Sequence, residues 1–266
     1  MADYEFIKYE QDGNIVTITI NRPERMNSIH PPTTAELSDA WNTFANDDSA
    51  WIGILTGAGT RAFSAGNDLK YTAEMSRVPS SERPTFDPVA GGFGGITADF
   101  DCPKPMIAAV NGFALGGGCE MAMACDIVVA ADHAVMGLPE PKVGLMAGAG
   151  GVHRLPRHIP LKIAMGFMLT GRHVPAPDAH RWGLVNEVVP AEDLMATARR
   201  WAEEILLCAP ISVRASKEAA YKGLDLPLPA ALTHSFHQQR IMGQSEDLIE
   251  GPRAFAEKRT PNWKGR

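Results

Sequence analysis

Apolar and polar residues alternate near the start of the chain with the period of a β-strand. Residues 15–20 read Ile-Val-Thr-Ile-Thr-Ile, so every second side chain falls on the same face. Further short apolar runs, partly β-branched, lie at residues 51–56, 106–110, 127–131 and 185–189 and have the length of buried strands. The segments between them are long enough for helical crossovers, so the pattern predicts an α/β fold.

A helix is predicted after the first strand. Pro31 and Pro32 precede Thr33, and Glu36 follows Thr33 by three residues, the spacing of a capping box. The apolar positions that follow repeat at helical spacing; they are Leu37, Ala40, Trp41, Phe44 and Ala45.

Strand signals end at about residue 193. One helical face follows, marked by Leu194, Ala198, Trp201, Ala202 and Ile205. Two or three further helices are predicted before the last residue. We expect an α/β core at residues 1–192 and a C-terminal helical region at residues 193–266, which would serve oligomerisation and cover the site.

Two neighbouring segments have the composition of a loop. Residues 76–88 are rich in proline and charge, and residues 90–95 are rich in glycine. We expect them to form one mobile loop.

The overall charge and the absence of simple motifs limit the partners, the location and the metal sites that we expect. The 266 residues carry a formal net charge of −6 without a long basic run, which disfavours nucleic acid and anionic membranes as partners. No segment approaches the roughly 20 apolar residues that span a bilayer, and no signal peptide is apparent, so we expect a cytoplasmic protein. The eight histidines are scattered and form no zinc motif, so we expect no metal.

Two glycine-bearing turns are the strongest candidates for chemistry, because each lies between a predicted strand and a predicted helix. The first reads FSAGNDLK at residues 63–70, and the second reads NGFALGGGCE at residues 111–120. Glycine lets a backbone approach a ligand closely, and a helix start presents unpaired N–H groups. Two such groups that converge would form an oxyanion hole, which polarises a carbonyl and is typically worth about 2.7–4 kcal/mol per donor.

Both turns also have a purely structural interpretation. The glycine triplet at residues 116–118 can serve a tight turn or close packing of a strand on a helix. Asp68 can be the N-cap of a helix that begins at Leu69.

Two carboxylates stand out beside these turns. Glu120 lies in the first turn of a short apolar helix, and Glu140 lies between Pro139 and Pro141 after a predicted strand. Taken singly, the first can simply favour the helix dipole and the second can be a solvated loop residue. Together with an oxyanion hole, two carboxylates that hold one water can act as general base and general acid.

The order of several motifs resembles the crotonase (enoyl-CoA hydratase/isomerase) superfamily over almost the whole chain. The motifs are NRPERMN at residues 21–27, AGNDL at 65–69, VNGFALGGGCE at 110–120, LPEPKVG at 138–144, GAGG at 148–151 and AFAEKR at 254–259. The resemblance implies a superhelix of stacked β-β-α units with a C-terminal helical extension, assembled as trimers or hexamers. It also implies an acyl-CoA substrate in fatty-acid metabolism, with no cofactor besides the coenzyme A of the substrate.

By that resemblance, the oxyanion-hole N–H groups belong to Asn67 and Gly117 and hold the thioester oxygen. Glu120 and Glu140 match the two glutamates of the hydratases, which position the attacking water. Glu140 would deliver a proton to C2 and Glu120 would assist as base, although the sequence leaves the division of labour between them open.

The resemblance also implies a set of substrate contacts. Those in the first turn are Ala65, Asn67, Asp68, Leu69 and Lys70, and the second turn adds Gly117. The candidate cations for the phosphates of coenzyme A are Arg25, Lys70 and Lys258, the last reaching a neighbouring subunit. Each of these charges has the alternative of being a solvated surface residue.

Two positions depart from the commonest hydratase pattern. Asn67 stands where many hydratases have alanine, and Ala147 replaces a common proline beside the acyl pocket. The glycine-rich residues 91–95 and the ending of the chain resemble carnitinyl-CoA dehydratase-like members more closely.

We therefore predict an enoyl-CoA hydratase, which adds water reversibly across the 2,3 double bond. The alternatives are a carnitinyl-CoA dehydratase, an enoyl-CoA isomerase and a noncatalytic binding protein with the same fold.

Overall fold

The structure is a computed structural model that describes residues 4–86, 89–98 and 100–266. Its strands are β1 (Ile7–Asp12), β2 (Ile15–Ile20), β3 (Ile52–Gly57), β4 (Ala62–Ser64), β5 (Met106–Val110), β6 (Phe113–Leu115), β7 (Ile127–Ala131), β8 (Val135–Gly137), β9 (His173–Pro175) and β10 (Glu187–Val189). Its helices are α1 (Pro31–Asn46), α2 (Leu69–Ser76), α3 (Gly117–Ala124), α4 (Gly151–His158), α5 (Leu161–Thr170), α6 (Ala176–Arg181), α7 (Leu194–Leu206), α8 (Pro210–Gly223), α9 (Leu228–Thr233), α10 (His237–Met242) and α11 (Glu246–Glu257).

The strands form two sheets that the chain visits in alternation. In the described residues, the larger sheet has the order β1-β2-β3-β5-β7-β10, and the smaller one has the order β4-β6-β8-β9. Each of β3, β5 and β7 in the larger sheet is followed directly by β4, β6 or β8 in the smaller sheet. Helices α2 and α3 complete two of these units, so the predicted fold of stacked β-β-α units is confirmed.

The larger sheet holds most of the core. All its neighbouring pairs are parallel except β1 with β2. Every residue of β5 is buried, as expected for a central parallel strand that is covered on both faces. Helix α1 supplies the large fully buried side chains of Trp41 and Phe44.

The sequence pattern located most of the longer strands, but it missed β1, whose residues are mostly exposed, and the short strands. The predicted strands at residues 15–20, 106–110 and 127–131 are confirmed, whereas the one at 185–189 shortens to β10. The strands of the smaller sheet have three residues each. A three-residue strand shows no usable alternation, so its pairing is visible only in the folded chain.

Helix α1 begins differently from the predicted capping box. His30 is the N-cap, and its ring nitrogen accepts a hydrogen bond from the Thr33 amide. Pro31 and Pro32 therefore lie inside the first turn, where their missing N–H groups are not needed. Glu36 reaches outward instead and accepts hydrogen bonds from the amides of residues 5 and 6.

The C-terminal region is helical, as predicted. Helix α7 packs on β5 and β7, and α8 to α11 follow it where two or three helices were expected. The extra element arises because α9 and α10 have only six residues each, which is too short for a clear helical period. The boundary between core and helical region near residue 193 stays a prediction.

A largely buried ion pair fastens α8 to the core. The Lys217 ammonium lies 2.7 Å from the Asp126 carboxylate, and their side chains are only 15% and 16% exposed. The same ammonium donates to the Lys104 carbonyl, and Asp126 accepts from the Met106 amide at the start of β5. The C-terminal helices are thus tied to the end of a central strand.

We expect Lys217→Met to lower the free energy of unfolding by about 3 kcal/mol, because it leaves the Asp126 carboxylate without its cation. The exposed pair of Arg253 and Glu257 on α11 is the matched control, and Arg253→Met should cost less than about 1 kcal/mol. Urea unfolding of both variants measures the difference. Equal losses would contradict a special role for the buried pair.

Candidate functional site

The two glycine-bearing turns are in direct backbone contact. Gly66 has a φ of +81°, and a Cβ atom there would lie 2.6 Å from the Leu115 carbonyl oxygen and 2.8 Å from the Gly117 nitrogen. A Cβ atom on Gly118 would collide with the Ser64 carbonyl in the same way. Only glycine permits this approach, which follows from the parallel pairing of β4 with β6 just before the turns.

The approach places the amides of Asn67 and Gly117 close together with their hydrogens unused. Ile29 forms a short parallel β-bridge with the turn, because its amide donates to the Gly66 carbonyl and its carbonyl accepts from the Asp68 amide. The Asn67 N–H between them takes no part in this bridge. Gly117 is the first residue of α3, so its N–H has no acceptor within the helix. Neither amide has an acceptor within the described residues, and the pair has the character of an oxyanion hole.

Glu120 is buried next to these amides. It lies in the first turn of α3, is 3% exposed, and accepts a hydrogen bond of 2.8 Å from the Gly151 amide. Burial raises the pKa of Glu120 to about 7 despite that hydrogen bond, and the charge of Glu140 adds to the rise. The carboxyl can therefore take up or release a proton near neutral pH.

Glu140 is half-buried, so its interpretation as a freely solvated loop residue is wrong. It opens a short 3-10 turn over Glu140–Val143, and its Oε1 would lie 2.9 Å from a Cβ atom on Gly116. Burial raises the pKa of Glu140. Its Oε2 is buried without a hydrogen-bond partner in the described part of the chain. A buried polar atom without a partner is costly, which fits an atom that waits for water or substrate.

The side chain of Asp68 has a structural function, as the N-cap interpretation proposed. It accepts from the Tyr71 amide at the start of α2 and lies 3.0 Å from Arg22 in a buried ion pair. Burial favours a higher pKa for Asp68, but the Tyr71 amide and the Arg22 cation outweigh it and keep the pKa below its usual range. The Asp68 backbone is engaged as well, because its amide donates to the Ile29 carbonyl and its carbonyl accepts from the Thr72 amide.

The other predicted contacts of the first turn lie around the Asn67 amide. Ala65 is half-buried and donates to the Met26 carbonyl, while Asn67, Leu69 and Lys70 are exposed. Arg25 is also exposed and precedes Met26, so it lies at the edge of the same turn. These positions suit contacts with a ligand that covers the oxyanion hole.

Lys258 is not brought to this site within its own chain. It caps α11 with a φ of +54° and lines a surface groove with Leu206, Leu207 and Trp263. A contact of Lys258 with substrate would require a second subunit, as the prediction stated.

Three contributors to the site were not predicted as site residues. The Gly151 amide holds Glu120, and Arg154 on α4 donates to the carbonyls of Ala149 and Thr97 beside it. The ring of Phe93 occupies the space that a Gly117 side chain would fill. The GAGG motif pointed to the first, but no local pattern distinguishes Arg154 or Phe93 from ordinary helix and loop residues.

The expectation of a mobile loop is wrong for residues 90–95. Gly91, Gly94 and Gly95 are buried, and the Ala90 carbonyl accepts a hydrogen bond from Ser38 on α1. Of the neighbouring segment at 76–88, residues 87 and 88 lie outside the described residues.

Two further observations concern the described residues 4–86, 89–98 and 100–266. They contain no group of three or more His, Cys, Asp or Glu side chains placed to bind a metal ion. None of their helices combines the length and the apolar character needed to cross a membrane.

The contact of the two turns can be tested at Gly66. We expect Gly66→Ala to separate the turns, because the new methyl group would collide with backbone atoms as well as strain a φ of +81°. Gly183→Ala is the matched control, since Gly183 has a φ of +85° and no atom within 4 Å of the added group. Thermal unfolding should show a clearly larger loss for Gly66→Ala. Similar losses would mean that the close approach carries no additional strain.

The raised pKa of Glu120 predicts that the free energy of unfolding falls as pH rises. Its pKa is about 7 in the folded chain and 4.5 ordinarily, so the folded state binds the extra proton between these values and stability falls as pH rises through them. Glu120→Gln should raise the free energy of unfolding at pH 8 by up to about 3 kcal/mol, and by little at pH 4. Urea unfolding at both values tests this, with the exposed Glu192→Gln as control. A gain that does not depend on pH would contradict the assignment.

Comparison with known proteins agrees with this geometry. The family model described as enoyl-CoA hydratase/isomerase matches residues 10–266. Proteins named carnitinyl-CoA dehydratase from Salmonella arizonae and Escherichia coli K12 are each 42% identical, covering 98% of this chain and 99% of theirs. The crystal structure of enoyl-CoA hydratase from Mycobacterium tuberculosis H37Rv has a TM-score of 0.87 at 38% identity, over 98% of this chain and 99% of that one.

The enoyl-CoA hydratase from Bacillus anthracis is equally similar in structure. Its TM-score is 0.87 at 36% identity, with 98% of this chain and 100% of that chain covered. Family model, relatives and structures thus agree across almost the full length with the order of motifs and the stacked fold. The chain belongs to the enoyl-CoA hydratase/isomerase family.

Proposed function

We propose that this enzyme adds water reversibly across the 2,3 double bond of a 2-enoyl-CoA thioester. The observation that carries the proposal is the unpartnered Oε2 of Glu140, which lies beside the buried Glu120 and two unused backbone amides. A water molecule that bridges the two carboxyls would satisfy the Glu140 oxygen and face the substrate. The proposal requires no cofactor, because coenzyme A is part of the substrate.

The oxyanion hole would polarise the thioester. The amides of Asn67 and Gly117 donate to the thioester oxygen, where negative charge grows when a nucleophile attacks C3. Both donors are backbone groups held by paired strands and a helix start, so they need no rearrangement when that charge develops. The asparagine side chain at position 67 is therefore compatible with the reaction.

The two carboxyls would divide the proton transfers. Glu120, when ionised, accepts a proton from the water as its oxygen bonds to C3, and Glu140, when protonated, delivers a proton to C2. The product gains one water, and a proton passes from Glu120 to Glu140 before the next turnover. Burial raises the pKa of both groups, that of Glu120 to about 7, so the pair can hold a proton at a higher pH than two solvated carboxyls.

The names of the carnitinyl-CoA dehydratase relatives support a carnitine-derived acyl group as the substrate. The carnitinyl-CoA dehydratases are 42% identical to this chain, whereas the enoyl-CoA hydratases from Mycobacterium tuberculosis and Bacillus anthracis are 38% and 36% identical. The reaction would be the same hydration, with crotonobetainyl-CoA in place of crotonyl-CoA. An isomerase needs no activated water, so the pair of carboxyls favours hydration over isomerisation and over a noncatalytic function.

We further propose assembly into a homotrimer or homohexamer in the cytoplasm. Large apolar side chains of the C-terminal helical region are well exposed in the single chain. Leu224, Leu232, Ile249 and Phe255 are 77%, 77%, 73% and 87% exposed. Such a density of exposed apolar groups is typical of surfaces that a partner covers. A neighbouring copy could then bring Lys258 to the phosphates of coenzyme A, beside Arg25 and Lys70.

We expect Glu140→Gln to lower kcat about 100- to 10,000-fold, because it removes the proton donor but keeps the shape of the side chain. Loss of absorbance of the conjugated thioester measures turnover of crotonyl-CoA and crotonobetainyl-CoA. Binding of butyryl-CoA, followed by calorimetry, should be retained.

The exposed Glu192→Gln serves as the control for a loss of one carboxylate. Undiminished turnover by Glu140→Gln would overturn the assigned role. Chromatography of the products of the natural enzyme separates the reactions, because a 3-hydroxyacyl-CoA supports hydration and a shifted double bond supports isomerisation.

A further inference from the structure

The glycine-rich residues 91–98 form a rigid wall rather than a flexible loop. Gly94 and Gly95 have φ of +63° and +77°, and a side chain on either would collide with Met121 of α3 or with the backbone of Ser38 in α1. The Thr97 hydroxyl donates to the Phe93 carbonyl at 2.9 Å. The segment is thus clamped between two helices.

This clamp holds the ring of Phe93 against the oxyanion hole. The ring edge occupies the position where a Gly117 side chain would begin, and the residue is half-buried, so part of the ring stays open. The amide of the same Gly117 is one of the two unused donors. A thioester oxygen bonded to that amide would lie roughly 3 Å from its nitrogen, which brings the acyl group next to the ring.

A chain of hydrogen bonds links the segment that carries Phe93 to the loop that holds Glu120. The carbonyl of Thr97, four residues further on, accepts a hydrogen bond of 3.0 Å from Arg154. The Arg154 amide donates to the Gly150 carbonyl, and the neighbouring Gly151 amide holds the Glu120 carboxylate. Phe93 therefore belongs to the same wall as the Glu120 carboxylate, which would face C2 and C3 in the proposed hydration.

We propose that Phe93 determines acyl selectivity in favour of a chain that carries a quaternary ammonium group. The inference rests on the proposed hydration and deepens it. The ammonium of a carnitine-derived chain is bonded to C4, next to the carbon that water attacks. An aromatic face attracts a cation within about 6 Å of its centre, and it offers a neutral methyl group only ordinary dispersion.

Two features make this attraction effective. The ring is half-buried and packs against the hydrophobic core, so less water surrounds a cation beside it, which strengthens the interaction with the ring. The clamp also fixes the ring before substrate binds, so no ordering cost accompanies the contact.

Selectivity is tested by comparing kcat/KM for crotonobetainyl-CoA and crotonyl-CoA in Phe93→Leu and Phe93→Tyr. Leucine keeps an apolar wall but removes the aromatic face, so the ratio of the two values should fall about fivefold to thirtyfold. Tyrosine keeps the face and should retain the ratio within about threefold. Phe86→Leu, at an exposed loop position, is the control and should change nothing.

Binding provides a second readout if Phe93→Leu turns over poorly. Calorimetry with the unreactive γ-butyrobetainyl-CoA and butyryl-CoA should show the same selective loss. An equal loss for both thioesters would overturn the role of Phe93 and leave hydration standing. If the natural enzyme converts crotonyl-CoA alone, the Phe93 inference is refuted while hydration stands; if it converts neither, the proposed reaction itself fails.

Discussion

The close contact between two backbone turns is the constraint on which the site depends. Gly66 meets Leu115 and Gly117 at distances that no side chain would allow, and the approach is imposed by the pairing of β4 with β6. Both strands belong to the smaller sheet, whereas the strands that precede them in the chain belong to the larger one. The stacked units therefore bring two helix starts to one place, and the unused amides of Asn67 and Gly117 meet there as a consequence.

The carboxyls at this place are held at a cost to stability. Burial raises the pKa of Glu120 and Glu140, so ionising either one in the folded chain is less favourable than in water. The surroundings of the carboxyls are held in place by contacts between distant parts of the chain. Residues 91–98 lie clamped between α1 and α3, and Arg154 joins that segment to the loop before α4. This arrangement keeps the two carboxyls in position before any substrate arrives, which is what the proposed catalysis by positioned acids and bases requires.

The C-terminal helices are coupled to the same core by buried charge. Lys217 and Asp126 join α8 to the start of β5, and Asp247 accepts hydrogen bonds from the amides of Lys264 and Gly265, which fixes the end of the chain. The outer faces of these helices remain apolar and exposed. Anchored on one side and uncovered on the other, the helical region has the properties of an assembly surface.

Local patterns in the sequence determined most of the long strands, the α/β class, the helical end and the residue types of the site, because periodicity and turn motifs depend on near neighbours. They also identified the Asp68 cap and the order of motifs that marks the family. The three-residue strands, the cap at His30 and the ordered segment at 90–95 were decided by tertiary structure. So were the burial of Glu140, the amide of Gly151 that holds Glu120, and the ring of Phe93 on Gly117. Each of these depends on contacts between residues distant in the chain, and only the packing of sheets and helices determines which distant groups meet and how far water is excluded from them.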